Sequence, residues 1–233
     1  RAQNPATEDV VRWCDREEAS RHAGIALPFG AAWIPSGGCV DLGGLARDLL
    51  RAPRVTVRER DDGEPVDLTV DARARVPGGE LVRGQALGVD LGGAAPRAVL
   101  CTNGYLCPPD DDGLTWLGST YDRHDDATDE RPQDDARVRD RFDGLPALAY
   151  ALRGAPTARR FVGVRASTPQ RLAQIGYAAP DRAGSRAHGA RGAVTAPGAA
   201  ALLAAVAFGE PLPATAAQRD RLQARVDADA SPA

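Results

Sequence analysis

The stretch LVRGQALGVDLGGAAPRAVLCTNGYLCPPDDDGLTWLGSTY, residues 81–121, decides the fold. It holds short runs at 81–87, 98–101 and 114–120, cut by GG and PPDDDG segments. Apolar runs of that length between such turn residues read as antiparallel strands joined by hairpins. The pattern reaches upstream to runs at 55–58 and 66–70, separated by DDG and PGG, and recurs downstream at 161–165.

Helical patterns flank this region. Thr7 reads as the cap of a helix through Val10, Val11 and Trp13 to His22, with Glu8 and Asp9 in its first turn and Gly24 as its stop. Asp41 opens a second helix whose Leu42, Leu45, Leu49 and Leu50 recur at helical spacing up to Pro53, a stripe expected to face a sheet. The charged segment 122–143 reads as surface loop plus helix, and 145–152 as an apolar helix. A loop rich in Gly, Ala and Arg over 178–192 leads into a helix over 195–208 that stops at Gly209, followed by a polar helix and a fraying tail from Arg219. Helices around a run of hairpins make the class α+β, an antiparallel sheet with flanking helices.

Composition narrows the chemistry. Hydrophobic residues are 43% and charged residues 26% of the 233, which fits a folded globular chain. All 29 basic side chains are arginine, so within these residues a Schiff-base lysine, a Walker A lysine and a serine–lysine dyad are excluded. A net charge of -3 gives no general reason to bind nucleic acid. Cys14, Cys39, Cys101 and Cys107 show no CxxC spacing, so free thiols and no metal site are expected. No run of about 18 apolar residues is apparent, which sets the expectation of a cytoplasmic chain without a membrane partner. A first residue of Arg1 and the lack of methionine suggest a processed, trimmed or partial chain.

Three motifs carry chemistry. In the first, Arg83, Gly84 and Gln85 stand inside a strand, where glycine lets a flat ligand approach. In the second, Tyr105 of GYLCP leads into a DG turn and a following strand, so its phenol sits where it could donate to a ligand. The third joins FVGVRASTP, with Arg165 ending an apolar strand, to GARGAVTAP at 189–197. A guanidinium at a strand end matches a carboxylate in a paired fork. A glycine-rich turn at a helix start offers backbone N–H groups to an electron-rich atom.

In their order and spacing these motifs resemble the FAD-dependent amine oxidases related to D-amino acid oxidase and glycine oxidase, and most closely the oxidase half of bacterial bifunctional enzymes that modify the tRNA wobble uridine. The similar stretches are 19–50, 81–85, 104–122, 162–176 and 189–213, ending on GEPLP. The resemblance implies that Arg165 grips the carboxylate of a glycine-like amine and that Arg191 sits beside the flavin ring and the same substrate. It implies that Tyr105 lines the pocket. Gly189, Ala190, Arg191, Gly192, Ala193, Val194 and Thr195 would face the flavin, with Arg83 and Gln85 near the ring.

Several features depart from that family. No strand–GxGxxG–helix unit for the FAD pyrophosphate is present, since Gly37, Gly38, Gly43 and Gly44 lack the spacing. Residues 176–189 lack an apolar strand leading into the GARG turn. The expected division is a helical segment 1–53 flanking the FAD domain, a substrate-binding sheet 54–165, a flavin-ring loop and C-terminal helix 166–213, and a polar tail 214–233. The resulting expectation is an FAD-dependent oxidoreductase acting on a tRNA wobble uridine or a small glycine-like amine. Its implied partners are an N-terminal Rossmann-type portion or a methyltransferase domain. The alternative is a truncated remnant, or half of a split flavoenzyme.

Overall fold

The computed structural model describes residues 10–60, 63–213 and 215. In chain order the elements are β1 (Arg12–Cys14), α1 (Arg16–Ala23), β2 (Ala31–Trp33), α2 (Leu42–Leu50), β3 (Thr69–Asp71), β4 (Glu80–Val89), β5 (Leu100–Cys101), β6 (Tyr105–Leu106), β7 (Thr115–Gly118) and β8 (Asp122–Arg123). They continue with α3 (Asp134–Arg139), α4 (Pro146–Gly154), β9 (Thr157–Ser167), β10 (Gln174–Ala179), β11 (Arg182–Arg186) and α5 (Gly192–Ala207). The α+β class holds. The chain divides into two compact units, one of Arg1–Asp41, Arg83–Asp122 and Ala127–Gly163, the other of Leu42–Val82, Arg123–Asp126 and Val164–Ala233.

The main sheet runs β5-β6-β7-β4-β8, with β9 also on β4. Leu87 of β4 faces Leu117 of β7, which in turn faces Leu106 of β6, so one row of large aliphatics crosses three strands. That row joins Val138, Phe142, Leu148 and Leu152 of the helical segment in one buried cluster. Pro146 starts α4, where its missing N–H costs nothing, and Leu148, Ala149 and Leu152 give the helix its buried stripe. The β6–β7 hairpin closes through the expected DG turn: Asp110 accepts from the N–H groups of Asp112 and Leu114 and from the Trp116 indole at 2.7 Å, and Gly113 takes φ 79°.

In the second unit β10 and β11 form an antiparallel hairpin, and β11 pairs in parallel with β3. Tyr177 on β10 donates its hydroxyl to the carbonyl of Leu203 in α5 at 2.8 Å, tying hairpin to helix.

Several expectations are corrected. Thr7 lies outside the described residues, and residues 12–14 are a strand, not helix, because β1 pairs with β2, Trp13 facing Ala32. The helix instead begins after Asp15, whose carboxylate accepts from the Glu18 N–H at 2.8 Å, and it stops at Gly24 as expected. α2 forms where its leucines predicted, but none of its residues is buried, so the stripe does not face a sheet. Residues 55–58 form no strand, and only Thr69–Asp71 of the next run pairs. The 178–192 loop is largely the β10–β11 hairpin: small residues hide the alternation that a strand search looks for, and ladder hydrogen bonds need no large side chain. The strand leading toward the GARG turn is β11, RAGSR, so an apolar strand is absent there as read. The 122–143 segment is not all surface, since Asp134, Val138 and Phe142 are buried.

The last helix begins at Gly192 and ends at Ala207, before Gly209 at φ 64°. Together with the turn before it, Gly189–Ala207 is long and apolar enough to cross a membrane by length and composition, with a mean hydropathy of 1.4. This corrects the reading that no such run exists: alanines and glycines, weakly apolar one by one, add up over the window. The polar helix and tail beyond it lie outside the described residues.

Candidate functional site

The 189–195 motif, expected to face a flavin, lies in the second unit. β9 carries Arg165 and ends at Ser167, which forms an antiparallel bridge with His188. Immediately after, Gly189 turns the chain at φ 57°, where a Cβ would sit 3.5 Å from Ser167 Oγ. Gly189–Arg191 form a 3-10 turn that runs into α5 at Gly192. Arg191, the residue before α5, makes no side-chain cap, so its side chain does not fill the positive end of the helix dipole. Arg191 is exposed and Arg165 half-buried. The strand end and the glycine turn are therefore neighbours through the 167–188 bridge.

His188 holds this corner together, a role the sequence did not signal. Its Nε2 is 2.9 Å from Ser185 Oγ and its Nδ1 is 2.7 Å from Thr195 Oγ1, so one ring links the end of β11 to the first turn of α5. Burial lowers its pKa, against a smaller raising contribution from a backbone hydrogen bond at Ser185. Thr195 also donates to the Arg191 carbonyl at 3.0 Å. Thr168, just past β9, donates to the Leu172 carbonyl and accepts from the Leu172 N–H, fixing the turn after Arg165.

Tyr105, Arg83 and Gln85 belong to the first unit. Tyr105 faces Gly118 across the β6–β7 pair, and a Cβ on Gly118 would lie 2.7 Å from its phenol oxygen, so glycine is what lets the ring lie across the strand. The residue is 38% exposed.

Arg83 and Gln85 are fully buried and engaged with protein. Arg83 donates to Asp134 Oδ2 at 2.9 Å, to Gln85 Oε1 at 2.9 Å and to the Asp129 carbonyl at 2.6 Å. Gln85 accepts from the Arg131 N–H and donates to the Arg131 carbonyl, gripping that backbone from both sides. Beside them Arg160 forks onto Asp135 at 2.9 and 2.7 Å. Burial alone would raise the Asp135 carboxyl, but hydrogen bonds from Arg160 and Thr157 outweigh it and hold the group below its usual value. The two Asp residues were read only as part of a charged run; the adjacent pair at 134–135, set before the apolar Val138, was the available signal.

With the geometry in place, the fold can be classed as a partial D-amino acid oxidase-like fold. The chain superposes on the crystal structure of glycine oxidase from Geobacillus kaustophilus with a TM-score of 0.72 at 18% identity, covering 91% of this chain and 67% of that one. Iminodiacetate oxidase from a Chelativorans species gives 0.69 at 23% identity, over 90% and 67%.

By sequence the chain is similar to the tRNA 5-methylaminomethyl-2-thiouridine biosynthesis bifunctional protein MnmC: 34% identical over 227 residues to that of Cupriavidus metallidurans and 29% over 253 residues to that of Hahella chejuensis. These relatives bear out the resemblance carried by the motifs. The matches cover 80% and 90% of this chain but only 34% and 40% of the relatives' lengths. No family model matches the chain.

Proposed function

We propose that this chain forms the substrate-side and flavin-ring portion of an FAD-dependent amine oxidoreductase whose substrate is an N-substituted glycine. The observation that carries this is the bridge between Ser167 and His188, which sets the Arg165 strand end against the Gly189 turn and the uncapped head of α5. That corner fits the ring end of a flavin. Gly189 supplies the φ of 57° that turns the chain there, the N–H groups of Ala193 and Val194 suit the pyrimidine oxygens, and Arg191 favours negative charge on the ring. The pyrophosphate end is not matched, since no GxGxxG turn stands among the 233 residues. When bound, the flavin accepts a hydride from the carbon beside the amine nitrogen.

In this reading Arg165, in the second unit, holds the substrate carboxylate. Arg83 and Gln85 shape the sheet by fixing residues 129–135. The names of the relatives favour a step in the making of tRNA 5-methylaminomethyl-2-thiouridine, and the motif resemblance adds the carboxymethylaminomethyl group of a wobble uridine as substrate, a methyltransferase domain as partner and the cytoplasm as setting. The iminodiacetate and glycine oxidase folds favour a small free amine, which the same fork would hold.

The test is turnover of iminodiacetate and of tRNA bearing the carboxymethylaminomethyl group by the full chain supplied with FAD. Arg165→Ala is expected to raise KM about tenfold or more, the loss of one charge-assisted pair, with a smaller change in kcat. A KM unchanged by that substitution contradicts the reading. A second reading, a non-catalytic remnant or half of a split flavoenzyme, is favoured by the missing GxGxxG and by the exposed leucines of α2. It requires that FAD leave the melting temperature of the isolated chain unmoved.

A further inference from the structure

Within the first unit a thiol, a carboxylate and an imidazole meet at the start of α1. Cys14 ends β1, and Glu18 and His22 follow at four-residue steps, which sets the last two on one face of α1. The ligating atoms of the three, one from each side chain, all lie within 4.8 Å of one another. Glu18 Oε1 is 3.6 Å from His22 Nε2. Two metal bonds of about 2.0–2.3 Å meeting at a tetrahedral angle place their ligand atoms about 3.3–3.6 Å apart. The ring of His22 is held in place by stacking on Trp33 of β2, with centroids 4.2 Å apart and planes 8° from parallel. Arg12 Nη2 is 3.2 Å from His22 Nε2, and a guanidinium only donates, so Nε2 carries the lone pair that a metal needs. The same guanidinium donates to Glu18 Oε1 at 2.5 Å. One cation therefore already bridges two of the three groups. The Arg12 side chain is 36% exposed, which leaves it a path into water. Cys14 and His22 also line a cavity of about 450 Å³.

We propose that Cys14, Glu18 and His22 form a binding site for a zinc ion, with a fourth position left to water from the cavity that Cys14 and His22 line. The donor set decides the metal. One thiolate, one imidazole and one carboxylate suit tetrahedral Zn²⁺, whereas Ca²⁺ and Mg²⁺ take oxygen ligands. Burial, and after it Glu18, raise the Cys14 thiol, so the incoming ion displaces the thiol proton to water. Arg12 gives up Glu18 and His22 in the same exchange. The charge balances: the dication with one thiolate and one carboxylate is neutral, as the Arg12–Glu18 pair beside a protonated thiol is now. The ion would fasten β1 to α1. A search for paired cysteines passes over this site because each ligand is of a different type. The inference does not depend on the oxidase reading.

The experiment titrates the reduced, chelator-treated full chain with cobalt(II) and then with zinc. The expected result is a thiolate-to-cobalt charge-transfer band with intense tetrahedral bands in the visible, saturating at one ion per chain and abolished when zinc displaces the cobalt. A second protein carries Cys39→Ser, Cys101→Ser and Cys107→Ser together, so that Cys14 is its sole thiol. These are exposed or half-buried positions, and the charge-transfer band is expected to persist. His22→Gln is expected to weaken zinc binding about tenfold or more, and Arg12→Gln, which removes the competing cation, to tighten it about tenfold. No charge-transfer band in the unsubstituted chain overturns the proposal. So does a band that disappears in the triple variant, since the metal then sits on the other cysteines. Should the triple variant fail to fold, Cys14→Ser is read in its place: loss of the band supports the site, and its persistence overturns it.

Discussion

Leu87, Leu106, Leu117, Phe142, Leu148 and Leu152 of the first unit are each at most 2% exposed, whereas Leu42, Leu45, Leu49 and Leu50 of the second stand 44–61% exposed. The large apolar side chains buried in the second unit are Val82 and Leu203, among the described residues, with small alanines around them. Both units obey the local rules. α2 has helical spacing as clear as that of α4, yet α4 buries a stripe and α2 does not. A helical pattern is thus enough to set the backbone, while burial depends on a partner surface elsewhere.

The comparison can be broken most severely at the buried charge. Asp134→Asn leaves the Arg83 guanidinium, 0% exposed, without its nearest carboxylate, and is expected to cost about 3–5 kcal/mol in urea unfolding. A cost below about 1 kcal/mol would mean that Asp122, 3.7 Å away, takes over the charge. Next, Leu117→Ala should cost about 2–5 kcal/mol, whereas Leu49→Ala should stay within about 0.5 kcal/mol. Equal costs would erase the distinction between the units. Asp15→Ala removes the cap of α1 and should cost about 1 kcal/mol, with Asp15→Asn near neutral.

Acid sharpens the contrast further. Asp135 has its folded pKa depressed, so its contribution is complete above the ordinary carboxylate range and is lost as pH falls through the folded value. His188 is also depressed, and its neutral form is the one the fold prefers. Its contribution is therefore complete above the unfolded value of 6.5 and lost as pH falls toward the folded value. Hydrogen exchange is expected to show the second unit loosening first as pH drops below about 6.5. His188→Gln should remove that early phase, and Arg160→Gln should weaken the later one.

Much of the fold was legible because it rests on local rules. The 81–87 and 114–120 runs became β4 and β7, the DG turn closed the β6–β7 hairpin, and the 145–152 stripe became α4. What was hidden depends on distant partners. Arg83 and Asp134 are 51 residues apart, and nothing in either neighbourhood names the other. The strand at 12–14 exists only because β2 returns beside it, overriding a fair helical pattern. In the β10–β11 hairpin only Ile175 and Tyr177 are large apolar side chains, too few for an alternation to advertise it. His188 became a cross-link only once β11 and the head of α5 were placed around it. Arg165 and the 189–195 turn could be chosen by motif, but the Ser167–His188 bridge that makes them neighbours could not.

The account rests on the Gly189 turn and Arg191 receiving a flavin ring, and thermal unfolding of the full chain with and without FAD tests this most directly. The account predicts that FAD raises the melting temperature of the unsubstituted chain and that Arg191→Ala loses most of the rise. An unchanged melting temperature in both proteins, at FAD concentrations up to millimolar, would contradict it.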